Sequence, residues 1–126
     1  MPSAILTVFT NVTSPEHDAA YNDWYDNVHL CDVFKVPGFV AATRYRLSAA
    51  QAKGVDATEQ AQYLAVYEVD SDDLQASLNA LMRAGRGMVF SEHLDLENLA
   101  AYLYEEITPR VTVAQLGDDL SPALET

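Results

Sequence analysis

Basic residues, cysteines and long apolar runs are what this sequence has least of. Seven Lys and Arg stand against nineteen Asp and Glu, a formal charge of -12 over 126 residues. Such a field repels phosphate backbones and anionic lipid surfaces, so nucleic acid is not an expected partner. The single cysteine, Cys31, excludes an internal disulfide framework and a cysteine-rich zinc site. Met1 to Thr10 carries no basic start or cleavage region, and no apolar run reaches the roughly 18 residues of a membrane helix. A cytoplasmic protein with no membrane partner is expected. What is present is an ordinary folding composition, 49% hydrophobic and 21% charged, with a length that suits one core. Seven Tyr, four Phe and one Trp are available for that core or for a pocket.

Ala4 to Val12 sets Ile5, Thr7 and Phe9 against Leu6, Val8 and Thr10, the alternation of a strand. Ser14-Pro15-Glu16 reads as a helix start: a hydroxyl for free amides, a proline that loses nothing at the first position, and an early negative charge. The helix is expected to end near His29. His17, Tyr21, Trp24, Tyr25 and Val28 fall on its packed side, while Glu16, Asp23, Asp26 and Asn27 face water. Pro37-Gly38 precedes a second strand, Phe39 to Leu47, and Ser48 to Gln60 reads as a mobile connection. Gln62 to Asp70 is a third strand. Asp70 and Ser71 are expected to cap a second helix, with Leu74, Leu78, Leu81 and Met82 at helical spacing and an end near Gly85 or Gly87. After a loop holding His93, Leu99 to Ile107 forms a fourth strand that Pro109 closes.

This β-α-β-β-α-β order predicts an α+β, ferredoxin-like sandwich: a four-stranded antiparallel sheet with two helices on one face. Residues 1–109 make a single domain, and 110–126 make a C-terminal tail. Two helices cover one face of such a sheet, yet apolar or aromatic residues occupy both: Leu6 and Val8 as well as Ile5 and Phe9, Tyr102 and Tyr104 as well as Leu99, Ala101 and Leu103. A second copy of the sheet is the natural cover, so a homodimer is expected.

The densest chemistry lies around His29. Tyr25 sits one helical turn before it, and Asp26 and Asp32 flank it. At a helix end between two carboxylates the imidazolium is favoured, which predicts a pKa at or somewhat above roughly 6.5. His29 then reads either as an acid/base group or as a plain helix cap. Arg44 shares a strand face with Arg46, and Glu68 is expected nearby on the neighbouring strand. That pair is either a strand salt bridge or leaves Arg44 to bind a carboxylate or enolate oxygen. Tyr45 and Tyr67, or Tyr102 and Tyr104, offer hydroxyls to a phenol or ketone. Tyr21, Trp24, Phe9 and Asn11 are further candidates for binding substrate, with His17 and His93 as lesser ones. His29 with Asp32, and His93 with Asp95, each give two metal ligands without a third at a recognised spacing, so no metal site is expected.

Tyr21-x-x-Trp24-Tyr25-x-x-x-His29-Leu30-x-Asp32, Val36-Pro37-Gly38-Phe39 and Thr43-Arg44-Tyr45-Arg46-Leu47 together resemble the EthD-like branch of the dimeric α+β barrel superfamily. The resemblance is clearest over Asn22 to Leu47. It implies a ferredoxin-like protomer whose sheet pairs with that of a second protomer, and small aromatic or polyketide-like substrates handled with no metal or organic cofactor. The family's histidine after the first helix corresponds to His29. Cys31 departs from the pattern, which often has proline there. The resemblance points to a cofactor-independent enzyme working by proton transfer on a carbonyl compound, through isomerisation, cyclisation, decarboxylation or C–C cleavage. In that reading His29 is the acid or base, Tyr25 and Asp32 orient it, and Arg44 with Tyr45 stabilises an oxyanion. The alternatives are a non-catalytic small-molecule-binding or accessory protein, and a monooxygenase that is cofactor-free or haem-dependent.

Overall fold

Strand alternation decides the architecture. In β1 (Ala4–Thr10) Ala4, Leu6 and Thr10 are buried, and in β3 (Tyr63–Val69) Tyr63, Ala65, Tyr67 and Val69 are buried. These side chains share one face of the sheet, because β1 and β3 pair antiparallel with Leu6 opposite Tyr67 and Ala4 opposite Val69. A computed structural model, which describes residues 3–117, shows how the remaining elements cover that face. β2 (Phe39–Arg46) and β4 (Ala100–Glu105) complete a four-stranded antiparallel sheet in the order β2-β3-β1-β4. That is the ferredoxin-like α+β arrangement.

The first crossover is one helical rod in three parts: α1 (Asp18–Trp24), a π-helical turn (Tyr25–His29) and α2 (Leu30–Phe34). It does not stop at His29. Nothing in Leu30 to Phe34 breaks a helix, and Leu30 keeps helical angles of φ -58° and ψ -42°; the stop comes only with Pro37-Gly38. Nor does Ser14 cap the rod. It is extended with no side-chain hydrogen bond, and a 3-10 turn, Pro15–His17, intervenes before α1. The π turn also rotates the faces, so Val28, expected inside, is exposed. The second crossover helix, α3 (Leu74–Gly85), is capped by Asp73, whose side chain accepts from the Ala76 amide at 3.0 Å. Asp70 and Ser71, the expected caps, lie just before it.

Gly38 lets β2 follow so closely on the first crossover. It has φ +98°, and a Cβ there would sit 3.3 Å from Ser77 Oγ. Its carbonyl accepts the Asp70 amide at 2.8 Å, fastening the start of β2 to the end of β3. A register shift between Phe39 and Ala41 follows, after which Arg44 lies opposite Ala65 and Glu68 opposite Ala41. The expected Arg44–Glu68 neighbourhood therefore does not form. Glu68 alternates with the buried Tyr67 and belongs to the other face of the sheet.

That other face is open. Tyr45, Tyr102 and Tyr104 are each more than half exposed there. Residues 48–60 cross its end as turns without a strand or helix. Within the expected tail a short helix, α4 (Val113–Leu116), appears, and residues 118–126 lie outside the described residues. Among the described residues no helix is long and apolar enough to cross a membrane.

Candidate functional site

A cavity of about 210 Å³ lies between the covered sheet face and the two crossovers. Leu6, Val8, Tyr67 and Ala101 form its floor; His29 and Val33 come from the first crossover, and Leu81, Met82 and Gly85 from α3. Met88, Phe90 and Leu99 close the remaining side. His29 and Tyr67 bring the only polar side chains to this lining.

The π turn places His29. In a regular α-helix residues five apart point about 140° away from each other. Here the Leu30 amide donates to the Tyr25 carbonyl, a π-type hydrogen bond that widens the turn. Trp24 and His29 thereby meet face to face, with ring centroids 4.8 Å apart and planes 25° apart. Tyr25 meets the imidazole edge-on at 5.0 Å, and Phe90 lies 5.5 Å from it. The ring is held by three aromatic neighbours, while His29 Nδ1 is buried with no hydrogen-bond partner among the described residues. Such turns recur at functional sites.

Burial pushes the His29 pKa below its ordinary 6.5; Asp32 opposes that shift through its charge, and Arg44 adds to it. The expectation of a raised value is corrected. It assumed a helix end, whereas His29 sits in mid-rod among aromatic rings, where losing water outweighs the nearby carboxylate. The shift favours the neutral imidazole.

Tyr67 donates its hydroxyl hydrogen to the Tyr25 hydroxyl at 3.0 Å. Burial pushes Tyr67 up to about 12 and Tyr25 higher still, so both stay protonated under ordinary conditions. Trp24 donates from Nε1 to the Val89 carbonyl at 2.9 Å. That bond ties the loop carrying Phe90 to the helix carrying His29.

The other candidates are dispersed. Asp32 pairs with Lys35 at 3.3 Å and reaches His29 through charge alone. Arg44 is largely buried but outside the cavity lining. Its guanidinium donates to Asp26 at 2.7 Å and Asn22 at 2.9 Å, and its Cζ lies 4.2 Å from the centre of the Tyr25 ring. Tyr21 is wholly buried and hydrogen-bonds Thr10. Tyr45 and Phe9 are on the open face, Phe9 packing edge-on against Tyr102 at 6.2 Å. Asn11 accepts the Gln62 amide on its side chain at 2.9 Å, outside this cavity. His17 and His93 stack on each other at 4.1 Å, away from the cavity lining. Sequence reasoning missed Met88, Phe90 and Leu99, whose convergence depends on a loop with no periodic signal, and read Leu81 and Met82 as plain core.

No family model matches the chain, and no curated protein matches it. Solved structures do. HapK from Hahella chejuensis matches with a TM-score of 0.57 at 18% identity, over 86% of this chain and 98% of that one. A protein described as a putative monooxygenase from Shewanella loihica PV-4 matches with a TM-score of 0.51 at 20% identity, over 86% and 99%. An ethyl tert-butyl ether D (EthD) family protein from Bacillus halodurans C-125 matches with a TM-score of 0.51 at 21% identity, over 85% and 100%. Dimeric ferredoxin-like proteins share the arrangement as well. The fold is that of the EthD-like, dimeric ferredoxin-like α+β proteins.

The residues do not fit a haem. Cofactor pockets run to roughly 300 Å³ and above, whereas this cavity holds about 210 Å³, and Trp24 already covers one face of the only histidine lining it. Among the described residues no three His, Cys, Asp or Glu side chains converge on a metal position.

Proposed function

We propose that the protein is a cofactor-independent enzyme that moves a proton on a small, uncharged, planar carbonyl or phenolic compound, and that it acts as a homodimer. The observation that carries this reading is His29: an imidazole that lines an apolar cavity, held among aromatic rings, with burial favouring its neutral form. The imidazole lines this cavity, so a substrate bearing an acidic C–H or O–H and bound there would lie beside it. His29 takes that proton as a general base, its ring held by Trp24 and Tyr25. Tyr67 supplies the donor for the oxygen on which charge develops, turning its hydroxyl from Tyr25 to the substrate. The apolar walls disfavour an ionised ligand.

The test is solvent exchange. Small ketones and phenols are incubated with the protein in D2O, and deuterium incorporation is followed by NMR. Wild type is expected to catalyse exchange, with His29→Gln slowed roughly 100-fold or more while ligand affinity is kept. Exchange at equal rates in the variant, or none with ligands that bind, overturns the reading and leaves a binding protein. A second reading, cofactor-free oxygenation, is supported by the likeness to the Shewanella loihica protein described as a monooxygenase. It begins with the same proton removal and is separated by oxygen consumption during turnover.

A further inference from the structure

The π turn that aims His29 is gripped from the sheet. Arg44 of β2 has a side chain only 15% exposed, and its two terminal nitrogens take different partners. Nη1 donates to Asp26 Oδ1 at 2.7 Å and Nη2 to Asn22 Oδ1 at 2.9 Å. Asn22 lies in α1 and Asp26 inside the π turn, so one planar guanidinium bridges the point at which the rod changes its winding. The Asn22 amide is itself fixed. Its Nδ2 donates to the Asp18 carbonyl at 2.9 Å and to the Tyr63 hydroxyl at 3.2 Å, which turns Oδ1 toward Arg44. The guanidinium also rests on the Tyr25 ring, with Cζ 4.2 Å from its centre.

A π turn needs outside support. The winding is rare beyond such single turns, and regular α winding would point Trp24 and His29 about 140° apart. The bond from Trp24 to the Val89 carbonyl supplies one support. The Arg44 fork supplies another, and its planar geometry suits two fixed acceptors better than a point charge would.

We propose that Arg44 is a positioning residue: its fork holds the π turn open from β2, so that His29 stays stacked on Trp24 and faces the cavity. Arg44 is outside the cavity lining, so it acts through the turn and not on the ligand. The proposal rests on the reading of His29 as the acid/base group. The Arg44 charge works in the same direction. Burial lowers the His29 pKa most and Arg44 lowers it further, while Asp32 of α2 opposes both. Tyr25 and Tyr67 stay protonated, and β1, β4, α3 and the loop after it bring only apolar side chains to the cavity. Losing Arg44 therefore raises the His29 pKa, and a ring swung out into water raises it too.

The experiment uses Trp24, the one tryptophan of the chain. A stacked imidazolium quenches indole emission far more than a neutral imidazole does. Wild-type emission is expected to drop as acid protonates His29, and His29→Gln is expected to abolish the drop. Arg44→Met keeps an apolar stem and removes the fork. When folded by circular dichroism, it is expected to lose most of the drop, and its His29 titration, followed by NMR, is expected to move to higher pH. Deuterium exchange above that pH is expected to fall roughly 10- to 100-fold with ligand affinity kept. Arg44→Lys restores the charge without the fork, so full recovery of the drop overturns the brace. An unchanged drop in Arg44→Met overturns it as well, and so does wild-type exchange in a variant that has lost the drop. If Arg44→Met does not fold, Asp26→Ala, at an exposed side chain, removes one arm of the fork and is expected to lose part of the drop; an unchanged drop there overturns the brace. A wild type that catalyses no exchange overturns the enzyme reading alone, because emission and NMR read the turn without turnover.

Discussion

His29 shows how far a residue's neighbours, more than its type, determine its chemistry. Tyr25, Asp26 and Asp32 were visible around it in the sequence, and on charge alone they argue for imidazolium. Burial under Trp24, Tyr25 and Phe90 reverses the sign. Because the folded pKa lies below the unfolded value near 6.5, the unfolded chain binds more protons as acid is added. Stability contributed by neutral His29 is complete above that value and is lost as pH falls through it toward the folded pKa. Chemical denaturation between neutral and mildly acid pH is expected to show wild type losing stability more steeply than His29→Gln; parallel curves would mean the imidazole is solvated. The same sign governs catalysis, so turnover is expected to reach its plateau by neutral pH, with the lower limb set by a group titrating under 6.5. The approach of Tyr25 to His29, four apart on a helix, was legible, but the Trp24–His29 stack was not, because residues five apart diverge on a regular α-helix. Tyr67 was legible as a hydroxyl but not as the partner of Tyr25, and Phe90 was not legible at all, since both depend on contacts between elements distant in the chain.

At the scale of elements, the strands could be read directly. Alternation in Ala4–Thr10 and Tyr63–Val69 survives into the structure because one face of each is buried, and that burial fixes the register. The first crossover was misjudged where local signals are silent. No glycine or proline marks an end at His29, and a π turn has no simple periodic signature; it is stabilised by what the wider turn brings together, here the Trp24–His29 stack. Pro37-Gly38 was the true stop, and Gly38 carries a specific burden there. An alanine at Gly38 would have to hold φ +98° and fit a methyl 3.3 Å from Ser77 Oγ. Gly38→Ala is expected to cost about 1–2 kcal/mol from the left-handed backbone alone, read as a lower urea midpoint at unchanged slope. Gly38 is not among the residues that line the cavity, so proton exchange by the folded variant is expected to stay within about twofold of wild type. A large loss of exchange in a folded variant would instead tie the β2–β3 junction to the position of His29.

For the whole molecule, the question is what becomes of the open sheet face. Tyr45, Tyr102 and Tyr104, each more than half exposed, share it with Ile5. Monomers rarely leave so contiguous an apolar surface wet, and a flat sheet face is self-complementary under a two-fold axis in a way that a helix surface is not. Charge pulls the other way, because each copy carries a formal -12 and two copies repel. That opposition gives the assembly a signature. A dimer held by apolar contact against net repulsion tightens as salt screens the charges, whereas one held by ion pairs loosens. Light scattering at micromolar concentration is expected to return about twice the 13.9 kDa chain mass, and the dissociation constant is expected to fall or hold between low salt and about 0.5 M, where the screening length is well under 10 Å. A monomer under both conditions would leave the tyrosine face to some other partner, and a dimer that falls apart in salt would mean that charged groups at the rim, not the sheet, hold the two copies together.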